Sequence, residues 1–180
     1  MDPDAADDDL LAAIAGGDER AFSRLVARHG PRIHALARRH FGSGADADDV
    51  AQEVFWRVWR HAGKWQPGAA QFSTWLYRVA VNLCLDHRRK GSRASVDDMP
   101  DIADPGADAE QSLGARQALA MTYSIIAELP DRQRMALLLA VHDEMSNSQI
   151  AGAMDLSEGA VEQLLVRARR TLRDASRGMR

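Results

Sequence analysis

Between Val161 and Arg180 six arginines stand against two acidic residues, and they follow a short polar opening, Ser157-Glu158-Gly159. Short polar side chains at the start of a helix suit base edges in a major groove, while cationic ones farther along suit phosphates. Glu158, Gly159, Glu162, Gln163 and Arg167 are available for the groove, with Gln163 best fitted to a base edge. Arg167, Arg169, Arg170 and Arg173 fit the phosphates. Glu162 repels phosphate unless it accepts from a cytosine amino group or pairs with a basic side chain such as Arg169. Ala160, Val161, Leu164 and Leu165 supply the apolar side, and Ser157 stands where it can cap the helix. Upstream, Ser148 to Met154 forms a short helix with Ile150 and Met154 inward and Gln149 outward, and Asp155-Leu156-Ser157 turns the chain. Two helices around a tight turn, the second polar and cationic, make a helix-turn-helix aimed at duplex DNA. A solvated arginine face on a terminal amphipathic helix is the plainer alternative, and the preceding turn and helix argue against it.

A second chemistry lies along Phe72 to Lys90, where Trp75, Arg78, Asn82, Arg88 and Arg89 place aromatic surface, a polar amide and cations on one helix. Single-stranded nucleic acid is bound by that combination, rings for the bases and charge for the backbone. Phe72, Trp75, Leu76 and Val79 equally fit a buried stripe, since aromatic residues are ordinary core material. Asn82, one turn beyond Arg78 and one turn before Asp86, is read as a base-contacting side chain, and Asp86 as orienting Arg89 or Lys90. The helix from Asp49 to Arg60 is apolar nearly all round yet polar at Gln52, Glu53, Arg57 and Arg60, as for a helix wedged between its own core and a protein partner. Composition alone serves equally a core helix with one wet edge.

Catalysis finds no support. The six histidines include no pair at zinc-site spacing on a helix face, and Cys84 has no neighbouring ligand and reads as a small core residue. Gly16-Gly17 and Gly42-Ser43-Gly44 lack the strand and lysine of a phosphate cradle. No catalytic residue, metal ligand or cofactor is expected.

The elements that must hold these residues are helical throughout. Ordered structure is expected to begin near Asp9, with Leu10, Leu11 and Ile14 on one stripe, and Asp18 caps a second helix through Phe22, Leu25, Val26 and His29. Gly30-Pro31 is expected to restart or kink it. Asp48 or Asp46 caps a third helix with Val50, Val54, Phe55 and Val58 inward, and a fourth starts at Phe72. Residues 10–91 thus form one compact all-α domain. Residues 92–112, rich in Asp, Pro, Gly and Ser, are a flexible acidic linker. Residues 113–176 form the second domain, with helices over Leu113 to Leu129, from Asp131 to His142, from Ser148 to Met154 and beyond Ser157.

The 180 residues carry a net charge of −3, which conceals segregation: residues 1–9 hold five aspartates and no base, and residues 94–113 five aspartates and one glutamate. One cysteine and the absence of a basic-then-apolar leader point to the cytoplasm, and no apolar run approaches the ~20 residues that cross a bilayer, so no direct membrane insertion is expected.

Four stretches together resemble the RNA polymerase sigma factors of the extracytoplasmic-function group. They are Ala21-Phe22 with Leu25-Val26 and His29; Ala47 to Phe55 with Val58-Trp59; Phe72 to Leu76 with Ala80, Asn82, Asp86 and Arg89; and Leu129-Pro130 through Arg170. The resemblance implies a promoter-specificity subunit that binds core RNA polymerase and handles promoter DNA both double-stranded and locally melted, often in a stress response. It implies polymerase binding through Asp49, Gln52, Glu53, Trp56, Arg57 and Arg60. Opening and reading of the downstream element would involve the loop from Trp65 to Gln71 together with Trp75, Arg78, Asn82, Arg88 and Arg89. The upstream element would be read by Ser157, Glu158, Gln163, Arg167, Arg169 and Arg170. Control by an anti-sigma protein, often membrane-bound and sometimes zinc-containing, is also implied. Glu162 and Gln163 depart from the basic and small hydroxyl residues that many members carry, and the acidic linker suits a basic polymerase channel otherwise filled by RNA. The competing class is a stand-alone helix-turn-helix repressor or activator that dimerises through its first domain; the aromatic and basic Phe72 to Lys90 helix argues against it.

Overall fold

The computed structural model describes residues 6–42, 44–68, 71–91 and 122–177, the side chains of 88–91 and 176 excepted. Among these residues there is no strand. Helix α1 spans Asp7–Ala15, α2 Glu19–Phe41, α3 Gly44–His61 and α4 Phe72–Gly91, with a 3₁₀ turn over Ala62–Lys64. Helix α5 is described over 122–128 and is followed by α6 (Asp131–Val141), α7 (Asn147–Met154) and α8 (Glu158–Arg177). The linker at 92–112 and the expected helix start at Leu113 lie outside the described residues.

Local chemistry accounts for most helix ends. The Asp18 carboxylate accepts from the N–H groups of Arg20 and Ala21 at 2.8 and 3.1 Å, capping α2 as expected. At the other end Gly42 takes the left-handed conformation, φ 78°, and returns its N–H to the Arg38 carbonyl. Ser146 and Gln149 form a reciprocal capping box on α7.

Three expectations are corrected. Helix α1 starts at Asp7, two residues before the anticipated Asp9, because its first-turn carboxylates suit the positive helix end and Asp7 and Asp8 find partners. Helix α2 runs through Gly30-Pro31 as one element, so the chain does not restart there; Pro31 gives no N–H to the Ala27 carbonyl, but Ala27 and Pro31 are exposed and solvent can serve that oxygen. Helix α3 begins at Gly44, ahead of the two aspartates expected to cap it. Asp46 and Asp48 instead meet His87 and His34 at 3.0 and 2.7 Å.

The two halves do not keep separate cores. One buried cluster runs from Leu10, Leu25, Leu36, Val54 and Leu76 through Met135, Leu138, Ile150 and Val161. Helix α6 explains how: it touches α2 and α4 on one side and α7 and α8 on the other, and Arg134 through Leu139 are all buried. A helix buried all round reads as a continuous apolar run, which is what Met135-Ala136-Leu137-Leu138-Leu139 is. Helix α7 also lies along α4. A Cβ on Gly152 would stand 3.1 Å from Thr74 Cγ2, so glycine permits that approach.

Two polar contacts cross the same boundary. The Tyr77 hydroxyl donates to Asp143 Oδ1 at 2.8 Å, and Arg134 Nη1 donates to the His40 carbonyl at 3.1 Å. Burial raises the Asp143 carboxyl above its usual range, although the Tyr77 hydrogen bond and the nearby Arg39, His142 and Arg32 oppose the shift. A raised carboxyl takes up a proton on folding, so its contribution is most favourable at acid pH and is lost as pH rises through the raised value. Thermal unfolding should therefore show the wild type gaining on Asp143→Asn as pH falls from 7 towards 4. A stability difference independent of pH would mean that this carboxyl is not held in a desolvated setting.

Candidate nucleic-acid and polymerase interfaces

The last helix is held by Val161, Leu165 and Ala168, all buried, with Leu172 half-buried one turn on. That i, i+4, i+7, i+11 stripe leaves the opposite arc to solvent. Glu158, Glu162, Gln163, Arg167, Arg169, Arg170 and Arg173 are all exposed, Gln163, Arg167, Arg170 and Arg173 on that arc and the others beside the stripe. The turn before it is tight: Asp155 adopts φ 53° at the end of α7, and the Leu156 N–H reaches back to the Ala151 carbonyl at 3.0 Å. Ser157 Oγ accepts from the Ala160 N–H at 3.2 Å, so this hydroxyl caps α8. Arg170 lies 3.7 Å from Asp174. No ion pair is formed by Arg167 or Arg169 among the described residues.

On α4, Phe72, Leu76, Tyr77, Ala80, Val81 and Cys84 are buried while Arg78 and Asn82 are exposed one turn apart. The Cys84 thiol is pushed up to about 12 by burial, so it is an inert packing group. Trp75 is half-buried and stacks on His61, ring centroids 4.9 Å apart with 17° between planes. Trp65 is half-buried as well, edge-on to Phe72 at 5.6 Å and tilted against Trp75 at 5.8 Å, and its indole N–H donates to Asp8 at 2.8 Å. The side chains of Arg88 and Arg89 lie outside those described.

Helix α3 buries Ala47, Val50, Val54, Phe55 and Val58 and turns Asp49, Gln52, Trp56, Arg57 and Arg60 outward, with Glu53 at the margin. Glu53 and Arg57 pair at 2.8 Å. Trp56 is 54% exposed, a large ring that no other described residue covers.

Residues 25–94 match the family model of Sigma-70 region 2, and residues 119–172 match that of Sigma-70 region 4. The chain is 34% identical over 170 residues to the extracytoplasmic-function RNA polymerase sigma factor SigM of Mycobacterium tuberculosis, across 93% of this chain and 83% of SigM. It belongs to the extracytoplasmic-function sigma factors. It is likewise 34% identical to the RNA polymerase sigma factor CnrH of Cupriavidus metallidurans, over 96% of this chain and 95% of CnrH. The solved structure of CnrH in complex with the cytosolic domain of CnrY superposes with a TM-score of 0.70 at 29% identity, covering 97% of this chain and 99% of that one.

A sigma factor confers promoter specificity on RNA polymerase, so the outward faces of α3, α4 and α8 are where polymerase and DNA contacts must be sought. Among the described residues no group of His, Cys, Asp or Glu is arranged to hold a metal, and no helix is long and apolar enough to cross a membrane. Sequence reasoning missed Arg134, Tyr77, Asp143 and the Asp8–Trp65 pair. Most of their partners lie far off in the chain, or, for three of the Arg134 carbonyls, at the end of the preceding helix, and only the buried look of an arginine inside the apolar α6 run could have drawn attention to the first.

Proposed function

We propose that this sigma factor engages core RNA polymerase through the α3 face of Asp49, Gln52, Glu53, Trp56, Arg57 and Arg60. It opens and reads the downstream promoter element with Trp65, Trp75, Arg78 and Asn82, and with Arg88 and Arg89 farther along α4. It reads the upstream element with the exposed arc of α8, where Gln163 faces bases and Arg167, Arg169 and Arg170 face phosphates. Ser157 and Glu158 stand at the groove-facing end of that helix, Ser157 chiefly as its cap. The chain directs initiation without catalysis of its own and acts in the cytoplasm alongside polymerase. The observation that carries this reading is the exposure of Arg78 with Asn82 on α4 and of Gln163 with Arg167 on α8, two polar faces on the two matched regions. An anti-sigma protein holds the chain inactive, a reading supported by its whole-length likeness to a sigma factor solved with the cytosolic domain of CnrY.

Run-off transcription with purified core polymerase on a promoter library tests the reading, and absence of initiation at every promoter by an active core would overturn it. Asn82→Ala should lower initiation from duplex promoters while leaving thermal unfolding nearly unchanged, since exposed substitutions of this kind move stability by only about 0.5 kcal/mol. Replacing Gln163 should change which upstream base is preferred, with on the order of 1–3 kcal/mol of discrimination if the amide contact is bidentate. Selection on randomised upstream elements reads that change directly. Unaltered base preference would remove Gln163 from the reading surface.

A further inference from the structure

The acidic first turn of α1 is tied into the molecule rather than left in solvent. Asp7 bridges Arg28 and His29 of α2, at 2.8 and 2.9 Å. Asp8 accepts the indole N–H of Trp65, 57 residues along the chain, at 2.8 Å. From there a run of ring contacts leads to the start of α4. Trp65 lies edge-on to Phe72, Phe72 meets His29 at 5.5 Å and Trp75 at 5.9 Å, and Trp75 is backed by His61. Arg78 and Asn82 follow Trp75 on the same helix at i+3 and i+7.

We propose that Asp8 is a positioning residue for promoter opening: its carboxylate fixes the Trp65 indole by the N–H, and Trp65 in turn fixes the Trp75 end of α4. Trp65 is the first residue after the 3₁₀ turn, at φ −66° and ψ 133°, and its backbone N–H reaches Ala62 at 3.2 Å. Backbone bonding thus anchors the residue but leaves χ1 and χ2 of the indole open. Ring packing alone permits a flip of an indole about its two torsions, because edge and tilted contacts are shallow in energy. A charge-assisted hydrogen bond to one edge removes that freedom. Preorganised side chains cost no rearrangement when the duplex strands part, so loss of the bond should fall on opening. The inference rests on the proposed role of the α4 face in promoter opening.

The experiment uses reconstituted holoenzyme on matched duplex and pre-melted promoters, comparing Asp8→Ala, Asp8→Asn, Trp65→Phe and Asn82→Ala. Asp8→Ala should reduce open-complex formation on the duplex by about tenfold, the scale of one lost charge-assisted bond, and by clearly less on the pre-melted template. Core binding should be unchanged. Asp8→Asn keeps a carbonyl oxygen that accepts the same N–H in a neutral bond about half as strong, and should lose only about threefold. Trp65→Phe loses the donor together with part of the indole's own contact, so it should lose at least as much as Asp8→Ala, and adding Asp8→Ala to it should cost nothing further. An equal loss on both templates would show that Asp8 serves only the fold. Impairment of Asp8→Asn to the level of Asp8→Ala would assign the effect to charge, and wild-type behaviour of Asp8→Ala beside an impaired Asn82→Ala would remove Asp8 from opening while leaving the α4 reading intact. Wild-type behaviour of both would overturn the α4 reading, and the positioning role with it.

Discussion

Arg134→Ala should destabilise the chain by about 3–5 kcal/mol, the cost typical of removing one member from a buried charged network. Arg134 is 2% exposed. Its Nε donates to the Ile126 carbonyl at 3.0 Å, Nη2 to the carbonyls of Leu129 at 2.9 Å and of Ala127, and Nη1 to that of His40 at 3.1 Å. These oxygens, that of His40 apart, lie at and just beyond the end of α5, where carbonyls run short of intrahelical donors, so the guanidinium caps α5 from the side. Its last arm closes onto α2. Asp131, 4.0 Å away and partly exposed, offers only a weak counter-charge, which makes the carbonyls the main partners. Truncation leaves the carbonyls of Ala127, Leu129 and His40 without this donor, while Ile126 keeps the Leu129 N–H, and it opens a cavity between the halves of the molecule. Arg134→Lys keeps the charge but replaces a planar fork by a single ammonium, and should recover little. Denaturant unfolding measures both; a loss below about 1 kcal/mol for the alanine variant would mean that solvent replaces the guanidinium at little cost.

The double replacement Arg167→Gln/Arg169→Gln should weaken promoter binding by the holoenzyme on the order of a hundredfold near 0.1 M salt and lower the salt slope by about two units. Each phosphate contact releases counterions, contributing close to one unit of slope, and the two arginines are both exposed, on opposite flanks of α8. Base preference should not move, because phosphates carry no sequence information. Arg170→Gln should have the smaller effect of the single replacements, since Asp174 at 3.7 Å already offsets part of its charge. Filter binding or fluorescence anisotropy across a salt series gives slope and affinity together. A slope equal to that of the wild type would take both arginines off the phosphate backbone.

Much of the site was legible from spacing because exposure on a helix follows from its period. Val161, Leu165 and Ala168 settle the inward side of α8, and so Gln163 and Arg167 must face out. The same reasoning set Arg78 and Asn82 outside α4 and Trp56 outside α3. Spacing was silent on Trp65, whose loop has no period; its half-buried setting depends on Asp8, Phe72 and Trp75. It also set the start of α1 near Asp9, because nothing beside Asp7 and Asp8 in the chain shows that Arg28, His29 and Trp65 are brought to them.

Sequence by itself determined what local physics determines: an all-helical chain, its turns and caps at Asp18 and Ser157, the helix-turn-helix, and the polar arcs proposed to meet DNA and polymerase. These depend on residues three or four apart, where apolar periodicity and orphan N–H groups act without reference to the rest of the molecule. Tertiary structure alone decided that the two halves share a core, that α6 is buried on every side, and that Tyr77 meets Asp143 across 66 positions and Arg134 meets His40 across 94. Such pairings are chosen by which surfaces must leave water together. A buried arginine or tyrosine accepts whichever carbonyl or carboxylate the packing delivers, so its partner is written in the assembled core and not in the residues beside it.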